Sequence, residues 1–149
     1  MGYLQAVSRD NARTPMQWDA TSNAGFTSGT PWIGVNPNYT EINAKAQTDD
    51  AASVFSYYRE LIRLRHTMPV MVDGRFELLQ PDNDQVFAYM RKGENGTGNI
   101  LVFCNFTKAP APLPPEAAAA IASGAKRLIG NYADLPSAQL RPYEALVLA

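Results

Sequence analysis

Cysteine and histidine are almost missing from this sequence, which contains one residue of each, Cys104 and His66. A single cysteine cannot form an intrachain disulfide, and these two residues cannot build a metal cluster of the cysteine-rich kind. Cys104 ends an apolar run, so we expect a buried apolar side chain rather than a reactive thiol. His66 has no second histidine or carboxylate pair nearby, and we expect it at the exposed end of a helix. We therefore expect neither a metal nor a cofactor.

An excess of charge and long apolar runs are also missing. The formal net charge is -1, which gives no electrostatic reason to expect nucleic acid or an anionic membrane as a partner. No apolar run reaches the length of about 18 residues that spans a bilayer, and the first residues do not resemble a secretion signal. We therefore expect a cytoplasmic location, with the sequons at Asn38, Asn95 and Asn105 as chance occurrences.

Several enzyme motifs are absent as well. The sequence has no G-x-S-x-G nucleophile elbow, no phosphate-binding P-loop, no H-E-x-x-H metal motif and no dinucleotide fingerprint. Its 149 residues are 46% apolar and 18% charged, which is the composition of a folded globular protein. This length accommodates one domain, or a small β domain with an attached helical piece.

Residues 1–48 have neither helical nor strand periodicity, and they are rich in Gly, Pro and Asn turn signals. A loop of this length is usually functional or disordered. Large apolar side chains between the turns, including Trp18 and Trp32, argue against disorder because an ordered loop could bury them. We therefore predict an ordered loop packed on a scaffold, with both tryptophans as packing residues rather than sugar platforms.

A helical pattern follows over about residues 51–66, with apolar residues at three- and four-residue spacing. Residues 48–50 supply the acceptor side chains and acidic charge that favour a helix start, and Pro69 ends the pattern. The basic side chains of this helix are predicted to be solvated charges rather than a binding patch: Arg59, Arg63 and Arg65.

From Gly74 onward the apolar period becomes two. Five strands are predicted, at residues 74–79, 85–91, 99–106, 126–129 and 143–148. The alanine-rich residues 115–122 form the one helical candidate between them. Short strands separated by turns favour an antiparallel β-sandwich over residues 73–149, which makes the fold class mainly β.

Residues 8–19, Ser-Arg-Asp-Asn-Ala-Arg-Thr-Pro-Met-Gln-Trp-Asp, resemble a late segment of glycoside hydrolase family 13. The resemblance is greatest to the oligo-1,6-glucosidase, dextran glucosidase and α-glucosidase subgroup, and it runs through most of residues 8–69. It continues with Asn-Ala-Gly-Phe, Pro-Trp, Val-Asn-Pro-Asn-Tyr and the Tyr-Tyr-Arg-Glu-Leu start of the helix. It implies that residues 1–72 are an ordered loop and one helix that would close a (β/α)8 barrel, followed by the family's C-terminal β-sandwich.

The catalytic motifs of that family are missing. Its members carry a nucleophilic aspartate, a general-acid glutamate and a second, stabilising aspartate upstream of this segment. The resemblance therefore implies a C-terminal fragment of an exo-acting α-glucosidase, with no catalytic residue and no hydrolysis by the chain alone. The implied partners are an α-linked glucose oligosaccharide, in the intact enzyme, and the missing barrel portion.

Arg13 is the site residue that the resemblance implies. In the family, the arginine before Thr-Pro lines the bottom of the glucose pocket, paired with an upstream aspartate. A planar guanidinium suits this role because it can bind a carboxylate and a sugar hydroxyl together. The neighbouring Asp10, Asn11, Gln17 and Trp18 are predicted to brace the loop.

Two functions remain open from the sequence. One is the α-glucosidase fragment, whose linkage preference is undecided, with sucrose isomerases and trehalose synthases also open as parent activities. The other is a stand-alone, non-catalytic β-sandwich module that binds carbohydrate or protein through the aromatic loop.

Overall fold

The computed structural model describes residues 9–94 and 98–149. The chain divides into two compact units, residues 1–59 and 60–149, with the division inside a helix. The expected boundary at 72/73 stays a prediction, and the sequon at Asn95 lies outside the described residues. In the described part of the chain, no helix is long and apolar enough to cross a membrane.

The first unit is built from short turns of helix. Its 3-10 turns are Arg9–Ala12, Ser22–Gly25 and Pro37–Thr40, and its helices are α1 (Ala44–Asp49) and the start of α2 (Val54–Thr67). No strand is found in its described residues, 9–59. This agrees with the absence of strand periodicity in the sequence.

Two helices stand where the sequence predicts one. The Asn43 side chain caps α1 by accepting a hydrogen bond from Ala46 N at 2.9 Å. The Ser53 hydroxyl accepts a hydrogen bond from Ser56 N at 3.1 Å and donates one to Gln47 O at 2.6 Å. Residues 48–50 therefore end one helix instead of starting the next, because the Ser53 hydroxyl caps α2 by accepting from one of its first free amides, Ser56 N.

The second unit is dominated by a five-stranded antiparallel sheet. It follows α3 (Val70–Asp73) and consists of β1 (Arg75–Leu78), β2 (Val86–Lys92), β3 (Asn99–Asn105), β5 (Arg127–Gly130) and β7 (Ala145–Leu148). The strand order across the sheet is β1-β2-β3-β7-β5. A two-stranded ribbon pairs β4 (Ala111–Pro112) with β6 (Gln139–Leu140), and α4 is Pro115–Ala122. The prediction of a mainly antiparallel β architecture is confirmed.

One face of this sheet forms the hydrophobic core. The strand register places Ala88, Phe103 and Leu146 side by side, each no more than 1% exposed. Ala111 of β4, Leu140 of β6 and Ala117 of α4 belong to the same buried cluster. The ribbon and α4 therefore cover this face of the sheet.

The opposite face is covered at one end. Helix α3 lies against β2 and β3, and Arg91 Nη2 donates to Met71 O at 3.2 Å and Val72 O at 2.8 Å. Val70 and Ile100 are 3% and 1% exposed. Cys104 also belongs to this face by register, partly buried, and burial raises the pKa of its thiol. Both properties fit the expectation of an unreactive thiol.

An ion pair between a buried carboxylate and a partly exposed arginine joins the turn before β7 to the rest of the second unit. The Glu144 side chain is 2% exposed and accepts hydrogen bonds from Arg141 Nε at 3.0 Å and Nη2 at 2.7 Å. Arg141 Nη1 reaches Asp134 Oδ1 at 2.7 Å, and the guanidinium lies 4.0 Å from the centre of the Tyr132 ring. Hydrogen bonds from Arg141 lower the pKa of the Asp134 carboxyl. One arginine thus holds two carboxylates and a ring together.

Candidate functional site

Arg13 lies just after the first 3-10 turn, with its side chain half exposed. Its backbone N donates to Asp10 O at 3.0 Å, which fixes the local turn. Among the residues that the structure describes, the side chain makes one long contact, from Nη1 to Asp10 Oδ1 at 3.4 Å, and it is 51% exposed. An exposed pair at this distance contributes at most about 1 kcal/mol. Most of the five guanidinium donors are therefore available for a further partner.

The other residues predicted to brace the loop behave differently from one another. Asp10 contacts Arg13, whereas the side chain of Asn11 lies outside the described part of the structure. Trp18 is 53% exposed, and its contacts come from its backbone. Trp18 N donates to Ala24 O at 2.9 Å, and Trp18 O accepts from Lys45 N at 3.0 Å. Bracing by Trp18 thus comes from its peptide groups and not from ring packing.

Gln17 joins two distant parts of the loop. Its Nε2 donates to Asn38 Oδ1 at 3.1 Å and to Ile42 O at 2.5 Å, and its backbone O accepts from Ala44 N at 2.8 Å. Asn43, 6% exposed, adds a bond from Nδ2 to Tyr39 O at 2.9 Å. The segment that follows Arg13 is therefore attached to the start of α1 by backbone and side chain together.

A left-handed turn follows this attachment. Asn23, Ala24 and Gly25 have φ values of 52°, 57° and 66° in succession. The Asn23 side chain holds the turn by donating to Thr27 O at 3.1 Å and Gly29 O at 2.9 Å. Three consecutive residues in this region are unusual because L-residues other than Asn and Asp rarely enter it. The contacts of Asn23 and the complete burial of Ala24 offset that strain.

Asp19 lies against this turn. Its Oδ1 accepts hydrogen bonds from Thr21 N at 2.8 Å and Thr21 Oγ1 at 2.5 Å, and these bonds lower the pKa of the carboxyl. A Cβ built on Gly25 would lie 2.8 Å from the same Oδ1. Gly25 is thus required both by its backbone conformation and by the close approach of the carboxylate.

We expect Gly25→Ala to loosen this turn and cost about 1–3 kcal/mol, because it adds a strained φ and a steric contact. Gly34→Ala is the matched control, since no atom lies within 4 Å of its added Cβ. Amide hydrogen exchange at Trp18 and Asp19, whose N–H groups bond Ala24 O, provides the measurement. Equal exchange rates in the two variants would contradict the strained-turn interpretation.

Within the first unit the aromatic side chains of the loop are exposed, and their predicted packing on a scaffold stays a prediction. Trp32 is 97% exposed and Phe26 is 48% exposed within the first unit. The backbone and side-chain amides, not the rings, give the loop its order. Of the groups that do so, sequence reasoning missed Asp19, Asn23 and Asn43; the signal available for them was the Asx residue placed before a turn or helix start.

Other features of the described residues offer no competing chemistry. Among them, no group of three His, Cys, Asp or Glu side chains is arranged to hold a metal ion. An open depression of about 750 Å³ borders the turn at residues 80–85 and Glu116. Its polar groups bond one another, with Gln80 Nε2 donating to Glu116 Oε1 and Oε2 at 2.9 and 2.8 Å. The exposed Arg13 remains the candidate site.

Comparison with known proteins gives consistent matches. Residues 2–74 match the family model described as alpha amylase, catalytic domain. The chain is 45% identical over 150 residues to an oligo-1,6-glucosidase of Heyndrickxia coagulans, covering 97% of this chain and 26% of that protein. It is also 45% identical over 148 residues to a trehalose-6-phosphate hydrolase of Bacillus subtilis, with the same two coverages. The chain thus spans about a quarter of the length of these relatives.

Solved structures lead to the same group. A trehalose-6-phosphate hydrolase of Bacillus licheniformis superposes with a TM-score of 0.85 at 39% identity, covering 99% of this chain and 27% of that one. A trehalulose synthase of Pseudomonas mesoacidophila gives a TM-score of 0.80 at 40% identity, with the same coverages. The resemblance carried by the Arg13 motif is thereby confirmed, and the chain belongs to the alpha-amylase family, glycoside hydrolase family 13.

Proposed function

We propose that these 149 residues are one part of an exo-acting α-glucosidase of the oligo-1,6-glucosidase type, which hydrolyses α-glucosidic bonds at the non-reducing ends of oligosaccharides. The identity of 45% over nearly the whole chain to an oligo-1,6-glucosidase carries the proposal. In it, residues 1–72 close the (β/α)8 barrel and residues 73–149 form the C-terminal β-sandwich. The nucleophile and the general acid come from the rest of the enzyme.

Arg13 has the properties that the proposed role needs. Its side chain is half exposed, and within the described part of the chain the guanidinium has one long contact, to Asp10. In the assembled enzyme, its planar fork would bind an aspartate of the barrel and a hydroxyl of the terminal glucose together. The Gln17 attachment and the left-handed turn after it keep the backbone of this segment in one conformation, so less ordering is required when sugar binds.

A second candidate is a trehalose-6-phosphate hydrolase. The Bacillus subtilis protein of that name is as similar in sequence, at 45% identity, and a structure of the Bacillus licheniformis protein superposes closely. The substrates of the two candidates differ, because trehalose 6-phosphate carries a phosphate group and the oligosaccharide does not. Residues of the barrel outside this chain would make that distinction.

A chimera tests the proposal. This chain replaces the matched segment of the Heyndrickxia coagulans oligo-1,6-glucosidase, and the product is assayed with isomaltose and an aryl α-glucoside. We expect hydrolysis by the chimera and none by the isolated chain, because the acid and nucleophile belong to the other part. A chimera of the same design in the Bacillus subtilis trehalose-6-phosphate hydrolase, assayed with trehalose 6-phosphate, tests the second candidate.

The isolated chain is the control that separates a fragment from an independent protein. Turnover by the pure 149-residue chain would overturn the proposal. A folded chimera without activity would also count against it. Tight binding of isomaltose by the isolated chain would instead support the stand-alone carbohydrate-binding module.

A further inference from the structure

The side chain of Arg13 depends on its own backbone for its position. Among the residues that the structure describes, its guanidinium has one contact, the exposed pair with Asp10 at 3.4 Å. Such a pair is too weak to hold a long side chain that has many rotamers. The place that the guanidinium can reach is therefore set by the backbone of Arg13, which is held on one side by the bond from Arg13 N to Asp10 O at 3.0 Å.

The segment between Arg13 and Gln17 is short and stiff. Pro15 is buried, and its ring fixes its φ angle. Thr14 precedes a proline and is therefore restricted to extended conformations. With so few free backbone angles between them, a displacement of Gln17 also displaces the backbone of Arg13.

Gln17 is anchored to residues far along the chain. Its Nε2 donates to Asn38 Oδ1 at 3.1 Å and to Ile42 O at 2.5 Å. Asn38 is itself held in place, because Asn38 N donates to the side chain of Asn36 at 3.2 Å, which caps the 3-10 turn Pro37–Thr40. The acceptor for Gln17 is thus part of a capped turn rather than of a free loop.

We propose that Gln17 and Asn38 form a positioning pair, which sets the place of the Arg13 guanidinium in the glucose pocket. The inference rests on the proposed function, because it requires that Arg13 binds the terminal glucose. It assigns a role to Asn38, which lies 21 residues after Gln17 in the sequence. Neither side chain of the pair contacts the sugar in this role. A misplacement of about 1 Å away from the chemistry can lower a rate by about 100-fold, so the pair can have a large effect.

A double-mutant cycle in the Heyndrickxia coagulans chimera tests the positioning pair. Gln17→Met keeps an unbranched side chain of similar size but removes the donor, and we expect it to lower kcat/KM for isomaltose by about tenfold or more. In the Arg13→Ala background the same substitution should change kcat/KM by less than about twofold, because the group that it positions is gone. Equal losses in both backgrounds would show that Gln17 only stabilises the loop, and would overturn the proposal.

Substitutions at Asn38 isolate the part played by its oxygen. Asn38→Asp keeps an acceptor in the place of Oδ1 and should retain kcat/KM within about threefold, whereas Asn38→Leu removes the acceptor and should lose as much activity as Gln17→Met. Gln47→Met is the matched control, because the Gln47 side chain has one long contact among the described residues, at 3.5 Å from Phe55 N. It should leave kcat/KM unchanged. Equal losses in Asn38→Asp and Asn38→Leu would remove Asn38 from the pair.

Amide hydrogen exchange of the 149-residue chain gives a readout that does not depend on activity. Gln17→Met should speed the exchange of the Arg13 amide, which donates to Asp10 O, by about tenfold or more, and Gln47→Met should leave it unchanged. Equal exchange in Gln17→Met and the unmodified chain would overturn the positioning pair. A chimera that hydrolyses nothing, with exchange as expected, would overturn the proposed function and uphold the coupling of Gln17 to Arg13. A chimera that hydrolyses isomaltose with equal losses in both backgrounds would do the reverse.

Discussion

Replacing Arg13 by alanine in the oligo-1,6-glucosidase chimera is expected to lower kcat/KM for isomaltose by about 100- to 1000-fold. A hydrogen bond from a charged group to a sugar hydroxyl contributes about 1.5–3 kcal/mol, and a factor of ten corresponds to about 1.4 kcal/mol. In the proposed assembly, loss of the guanidinium would also leave an aspartate of the barrel without a counter-charge, which would add to the cost. Steady-state kinetics of the purified variants provide the measurement.

Two further variants define what the loss of activity means. Arg13→Lys retains the charge but loses the planar fork, so we expect an intermediate loss of about 10- to 100-fold. Arg65→Ala removes an exposed arginine of α2 and should leave the kinetics unchanged. If Arg13→Ala retained the activity of the unmodified chimera, Arg13 would be a loop residue only, with no contact to the sugar.

The second large effect is expected at Arg141. Arg141→Ala leaves the buried Glu144 carboxylate without its cation, so we expect a clear fall in the urea concentration at the midpoint of unfolding. Urea unfolding of the isolated chain, followed by circular dichroism, measures the change. Arg63→Ala serves as the control, because the Arg63–Glu60 pair has side chains that are 56% and 39% exposed, and a solvent-exposed ion pair contributes little to stability.

Two observations distinguish loss of charge pairing from loss of packing. Replacing both partners with apolar residues, in the double variant Arg141→Met and Glu144→Leu, should recover much of the loss because no unpaired charge remains. Arg141→Ala should also raise the pKa of Asp134 toward its ordinary value, since hydrogen bonds from Arg141 lower it. The contribution of the Asp134 bond is present above the ordinary pKa and is lost as pH falls through the lowered one. Equal destabilisation by Arg141→Ala and Arg63→Ala would contradict the buried-pair account.

The sheet was the predictable part of this fold. Alternation of apolar residues locates β2 and β3 to within one residue, because each strand has one face in the core and a period of two follows directly. The alanine-rich residues 115–122 form α4 as expected. The two-residue strands β4 and β6 are too short to produce a periodic signal, so the ribbon that covers the core was not predictable from pattern.

Arg13 as the site residue stays a prediction that rests on the resemblance, and the structure around it was not predictable from the sequence. The resemblance selected Arg13, and its exposed guanidinium leaves that role open to a partner. The turn at residues 23–25 could not be derived, because positive φ at Ala24 contradicts local propensity and depends on contacts made by Asn23. Trp32 is exposed within this chain, and apolar composition alone does not reveal whether the surface that buries a ring belongs to the same chain.

The order of the strands also affects how this chain can aggregate. β1 and β5 are the two outer strands of the sheet, where unpaired N–H and C=O groups can recruit further strands. β1 carries the charged Arg75 and Glu77, and the pairing of β5 with β7 is irregular between Arg127 and Ile129. Charges and irregular pairing both oppose edge-to-edge association. Because the edges are protected in this way, we expect aggregation of the isolated chain to involve exposed aromatic side chains such as Phe76 of β1 and Phe87 of β2. Attempts to raise its yield should therefore introduce polar residues at Phe76 or Phe87 and leave the strand edges unchanged.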